Sequence, residues 1–156
     1  MRFLRESVLA AAVLSVYGVA QAFIGARELE SVPPTTVQPK LPISNALGLA
    51  GFALTVVVYA LLGRAVARAG AAPSTAAARG AVVGLAAGIA SSLAQAALQQ
   101  EFFHDVALSY GLPDAFAQLM LLGIVIVGPL AGACVGAVLA WLAALLLRPR
   151  RDRTPA

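Results

Sequence analysis

The chain has 156 residues, of which 60% are hydrophobic and 12% charged, and its net charge is +4. A soluble domain holds nearer one half apolar and one quarter charged residues. A water-soluble fold of this composition would have to display apolar surface that soluble monomers avoid, so the composition points to lipid as the medium. Ten of the eleven basic residues are Arg and flank apolar runs. No basic stripe with interleaved aromatics exists, which argues against nucleic acid as a partner. The Ala- and Arg-rich, Lys-poor usage hints at a GC-rich bacterial genome.

Charged residues cut the chain into apolar windows. No charged residue lies between Glu6 and Arg27. About 20 apolar residues cross a hydrocarbon core about 30 Å thick, so the first window predicts a helix over about 7–26. The same stretch has a competing reading. Arg2 and Arg5 precede Val8–Val19, and Ala20-Gln21-Ala22 has the form of a signal-peptidase site. Against cleavage, Phe23-Ile24-Gly25 continues the apolar run. Residues 26–42 hold Pro33, Pro34, Pro39 and Pro42 and read as extended connection.

The second window runs uncharged from Lys40 to Arg64 and predicts a helix over 43–63. It is rich in Val, yet Leu54–Leu62 shows no alternating polarity of the kind a barrel strand needs. In lipid the backbone must satisfy itself, which leaves the helix. The small-residue stretch 69–78 reads as a connector between two helical hairpins. The third window, uncharged from Arg79 to Glu101, predicts a helix over 80–99. A short outer loop follows, with Glu101, Phe102, Phe103, His104, Asp105 and Asp114.

The fourth window runs uncharged from Asp114 to Arg148. At 1.5 Å per residue a helix over 115–147 reaches about 50 Å. It is too long for one straight span and too short for two. Gly128-Pro129 predicts a kink there, because proline removes a hydrogen bond and crowds the carbonyl of Val125. A start outside the membrane near Asp114 is the other way to take up the excess length. Residues 148–156 read as a disordered cytoplasmic tail. Cys134 reads as a packing residue, with no cysteine to pair with.

Nine of the eleven bases fall at the N-terminus, in the 64–79 loop or in the C-terminal tail. The positive-inside rule then places both termini in the cytoplasm, with four spans through an inner (plasma) membrane. The fold class expected is all-α: a single membrane domain, residues 1–156, built as a four-helix bundle. The halves echo faintly. Ala20-Gln21-Ala22 returns as Ala94-Gln95-Ala96, and Leu41-Pro42 as Leu112-Pro113, at nearly equal spacings. A parallel two-plus-two repeat would produce that echo, although short matches also arise by chance in so Ala- and Leu-rich a chain.

Two helices carry strips of small residues at every fourth position: Gly80, Gly84, Gly88, Ser92, and Gly128, Gly132, Gly136, Ala140. Residues four apart share a face, and such strips let helix backbones approach closely in lipid. Packing of one strip on the other is the simplest use. A homo-oligomer built through one strip is the alternative.

No charged side chain lies deep in a span, which disfavours proton relays and ion-coupled carriers unless Tyr17, Tyr59 or a loop acid takes that part. Gln21, Asn45, Gln95, Gln99 and Gln118 all fall near the outer ends of their spans. They form either an outward-facing polar vestibule or a set of interfacial amides joined by interhelical hydrogen bonds. Ser91, Gln95 and Gln99 share one helical face. Glu101 and His104 have Glu-x-x-His spacing, but a metal site needs three or four ligands, so no metal is expected. Phe102, Phe103, Tyr110 and Trp141 suit head-group level anchors. The tail arginines suit topology or anionic lipid. No phosphate loop, nucleophile elbow or paired His and nucleophile is present. The expectation is a non-enzymatic membrane protein without cofactor. It would act as a packing or assembly subunit, or bind lipid or a small solute. Its partners would be membrane lipid, a second copy or a larger membrane complex. A small transporter or pore with a polar outer vestibule is the alternative.

Overall fold

The computed structural model describes residues 2–36 and 41–148. They form four α-helices: α1 (Arg2–Leu29), α2 (Pro42–Arg68), α3 (Pro73–Ser109) and α4 (Asp114–Leu146). All four are long and apolar enough to cross a membrane. The burial pattern agrees with that reading. Nine of the fourteen buried apolar residues among those described are alanines, whereas Leu4, Leu49, Phe52 and Leu146 stay largely exposed. Small side chains inside and large ones outside fit a bundle whose surroundings are as apolar as its interior. The protein is a small multi-pass membrane protein with an all-α, four-helix bundle fold.

The helices outrun the windows that predict them. The α3 helix continues through Glu101, His104 and Asp105 to Ser109, where a loop was expected. It starts at Pro73 rather than Gly80, so the 69–78 connector shrinks to four residues. Charge marks where hydrocarbon ends, and a helix runs on into water. At 37 and 33 residues, α3 and α4 reach about 55 and 50 Å. The backbone of α4 stays helical through Pro129.

Both tight turns have a local cause. Gly70 follows α2 with φ +69°, and Gly111 follows α3 with φ +66°. The Ala71 N–H donates to the Val66 carbonyl and the Gly70 N–H to that of Ala67. Leu112 to Ala107 and Gly111 to Leu108 repeat the pattern. These are Schellman caps, in which a left-handed residue closes the helix end. Pro73, just beyond, opens α3 from a first-turn position that needs no N–H.

The α1–α2 and α3–α4 hairpins pack side by side. The α1 helix lies on α3 and α2 lies on α4, while α1 and α4 do not pack together. Gly18 of α1 faces Ser91, and Gly25 faces Gln99, so the two Ala-Gln-Ala triplets stand nearly level on neighbouring helices. The α2–α4 pair is shifted instead, with Gly63 against Ala140 and Ala144.

The closest approach is α3 on α4. Gly80 meets the Gly136 carbonyl, Gly84 meets that of Gly132, and Gly88 meets Pro129. The α2 helix touches α1 near one end and α4 near the other. The Tyr17 hydroxyl donates to the Leu47 carbonyl at 2.6 Å, while Gly63 rests on α4. A core of Leu62, Val66, Ala76, Val83, Ala140 and Ala144 fills the end carrying Arg64, Arg68, Arg79 and Arg148. Cys134, expected to pack, is exposed on the bundle surface because its face of α4 points away from the other helices. Of the tail, only Arg148 is described; its guanidinium donates to the Ala71 carbonyl at 3.5 Å. The expected disorder of the rest lies outside the described residues.

Candidate functional site: a polar vestibule at the acidic end

Glu28 builds the entrance. It ends α1 and reaches across to the start of α2. One carboxylate oxygen accepts from the Ile43 N–H at 3.0 Å and the other from the Ser44 N–H at 2.7 Å. The first N–H groups of a helix have no partner inside it. Leu41 offers no side-chain cap and Pro42 has no N–H. The α1 carboxylate therefore does the capping, and its charge suits the positive end of the α2 dipole.

This clamp holds α2 beside α1 and leaves a cavity of about 330 Å³ between α1, α3 and the start of α2. Gln21, Ser44, Ser91, Gln95 and Gln99 line it, with Gly18, Ala22 and Gly25 making room. Gln99 is buried, and its amide oxygen accepts from the Gln95 amide at 3.5 Å. Three of the five amides singled out from the sequence thus converge. Their groups are neutral donors and acceptors, suited to an uncharged hydrogen-bonding ligand.

The other two amides lie apart. Asn45 is exposed, one residue past Ser44 and turned away from the cavity. Gln118 is exposed on α4 and lines a separate cavity of about 760 Å³ between α3 and α4 with Glu101, His104 and Asp114. There His104 Nδ1 lies 3.3 Å from an Asp114 carboxylate oxygen, with both side chains about half exposed or more. Glu101 and His104 share a helix face as expected. Among the described residues, no three His, Cys, Asp or Glu side chains gather as a metal site.

Two tyrosines that the amide pattern did not single out line a cavity between the four helices. The Tyr17 ring packs on Gly51, and Tyr59, 2% exposed, packs between Gly84 and Gly136. The available signal was pairing by size: a large ring needs glycines opposite it. Sequence alone does not say which glycines stand opposite. Comparison of the chain with protein families, with curated proteins and with solved structures finds no match.

Proposed function

We propose that this membrane protein is a non-enzymatic binding component. It takes a small uncharged polar solute, or the neutral hydrogen-bonding part of a lipid head group, in the vestibule of Gln21, Gln95 and Gln99. One observation carries the reading: three amides from two helices converge with Ser44 and Ser91 on one cavity. Pairs that served only to hold helices together would spend their hydrogen bonds on each other. Here the one bond between side-chain amides among the described residues, Gln95 to Gln99 at 3.5 Å, lies within α3 and joins no two helices.

The distribution of arginine supports an orientation with both termini and the 69–72 turn in the cytoplasm of an inner (plasma) membrane. The vestibule then faces the opposite compartment. An assembly subunit has less support, because the two glycine strips face each other within the chain. Self-association or entry into a larger membrane complex would need other faces. A pore would need a passage through the core of Leu62, Val66 and Val83, which is closed.

The test is a thermal-shift survey of uncharged solutes and lipids on the purified protein in mild detergent. Ligand binding to the folded state raises the melting temperature by mass action. A stabilising compound should lose its effect when Gln95 and Gln99 become Leu, with expression unchanged. If no compound stabilises the protein and a stoichiometric protein partner co-purifies, the assembly reading replaces this one.

A further inference from the structure

The vestibule does not end at Gln21. Gly18, Gln21 and Ser91 line it on one side and line a second cavity, of about 380 Å³, on the other. This second cavity touches all four helices and extends along α2 from Gly48 to Tyr59. At 1.5 Å per residue that is about 16 Å along the bundle. Beyond Tyr59 the packed core of Leu62, Val66, Val83 and Ala140 closes the way.

Most polar groups on this inner wall are already bonded. Tyr17 donates to Leu47, Thr55 to Gly51 and Ser91 to Ala87, each to a backbone carbonyl. Tyr59 and Gln21 differ: among the described residues, neither side chain makes a hydrogen bond. Tyr59 is only 2% exposed, and its hydroxyl lies at the cavity wall beside Gly84. The hydroxyl is reached from the cavity and not sealed in the core, and in hydrocarbon a donor left without a partner is costly. A water or solute oxygen in the cavity would satisfy it.

We propose that the two cavities form one water-filled blind shaft, open at the acidic end, whose floor at Tyr59 binds a small uncharged solute through an acceptor oxygen. This rests on the vestibule reading above and gives it a depth and a ligand class. The competing occupant is a lipid chain. Phe52 and Val135 line the cavity and are 66% and 44% exposed, so the wall between α2 and α4 faces hydrocarbon there. A chain entering at that point would leave the Tyr59 hydroxyl and the Gln21 amide unsatisfied, and that favours water and solute.

Single cysteines in a Cys134→Ser background test the shaft. Thr55→Cys reports the shaft, Gln99→Cys the vestibule and Val57→Cys, on an exposed face, the lipid. Gly48→Cys is a second shaft reporter, since a Cβ there meets only the Gln21 amide at 3.7 Å. A small membrane-impermeant methanethiosulfonate is added to either face of oriented vesicles. The thiolate is the reactive form and needs water, so Val57→Cys should label at least about tenfold more slowly than the others. Both shaft reporters should label from the acidic face and not from the arginine face. If they are inert while Gln99→Cys labels, the shaft fails and the vestibule stands. If Gln99→Cys is inert as well, the vestibule fails too. Labelling from both faces would show a pore instead of a blind shaft. Glycerol, as probe solute, should slow labelling of Thr55→Cys, and Tyr59→Phe should remove that protection. Absence of protection overturns solute binding. Protection that survives Tyr59→Phe overturns Tyr59 as the floor.

Discussion

At the scale of single residues, the glycines of α3 and α4 are unequal in ways their spacing does not show. A methyl group on Gly84 would collide with the backbone carbonyl of Gly132, a neighbour that cannot swing aside. On Gly123, in the same helix as Gly132, it would meet nothing within 4 Å. Gly84→Ala should therefore destabilise by about 1–3 kcal/mol, the usual cost of overpacking. Gly123→Ala should be neutral or stabilise by up to about 1 kcal/mol, since alanine is the better helix former. Denaturant unfolding of both variants in mixed micelles checks the contrast. Equal effects would mean that α3 and α4 do not pack through this strip. The regular run at every fourth position was legible in the sequence. The freedom of Gly123 follows from its place off the strip.

At the scale of elements, the most consequential contact joins the end of one helix to the start of the next. Glu28 caps α2 from α1, so Glu28→Ala leaves two N–H groups without their acceptor. Loss of a cap costs about 1 kcal/mol, and a charged acceptor makes the bonds stronger. Glu30 is the control. Its ion pair with Arg27 spans 3.5 Å with both side chains 65% exposed. Pairs of that kind contribute about 0–1 kcal/mol, so Glu30→Ala should have little effect. Thermal melting of the two variants separates the roles. The same pair should differ at the vestibule, because only Glu28 fixes the start of α2 beside Gln21. In sequence the two glutamates look alike, both lying just past the first apolar window. Which one reaches α2 depends on where the start of α2 lies against α1, and neither segment shows that alone.

At the scale of the whole molecule, the arginine distribution and the helix count make one joint prediction. Reporters fused at either terminus and inserted in the 69–72 turn should read the same compartment, and one in the 110–113 turn the opposite one. Termini that reported different compartments would break the four-span bundle. The acidic end is further organised by contacts between its connections, such as the Tyr110 hydroxyl donating to the Thr35 carbonyl at 3.3 Å. Near the arginine end α2 lies on α4, and near the acidic end it lies on α1. The inner cavity sits where α2 has left α4.

The sequence by itself determined that there are four helices, that lipid surrounds them, and which two faces are smooth enough for backbone contact. These are properties of composition and period, and each can be read within one segment. It placed Gln21, Gln95 and Gln99 near one end, but it grouped Asn45 and Gln118 with them because depth in the membrane is legible and azimuth is not. Tertiary structure decided azimuth: which helix stands opposite which, and hence that three amides share a cavity, two face elsewhere, and Tyr59 lies between glycines. It also decided the helix ends, since charge marks the edge of hydrocarbon whereas a helix stops only where a cap such as Gly70 or Gly111 ends it. The physical reason is that packing depends on pairs of distant faces, and no single stretch of chain carries that information.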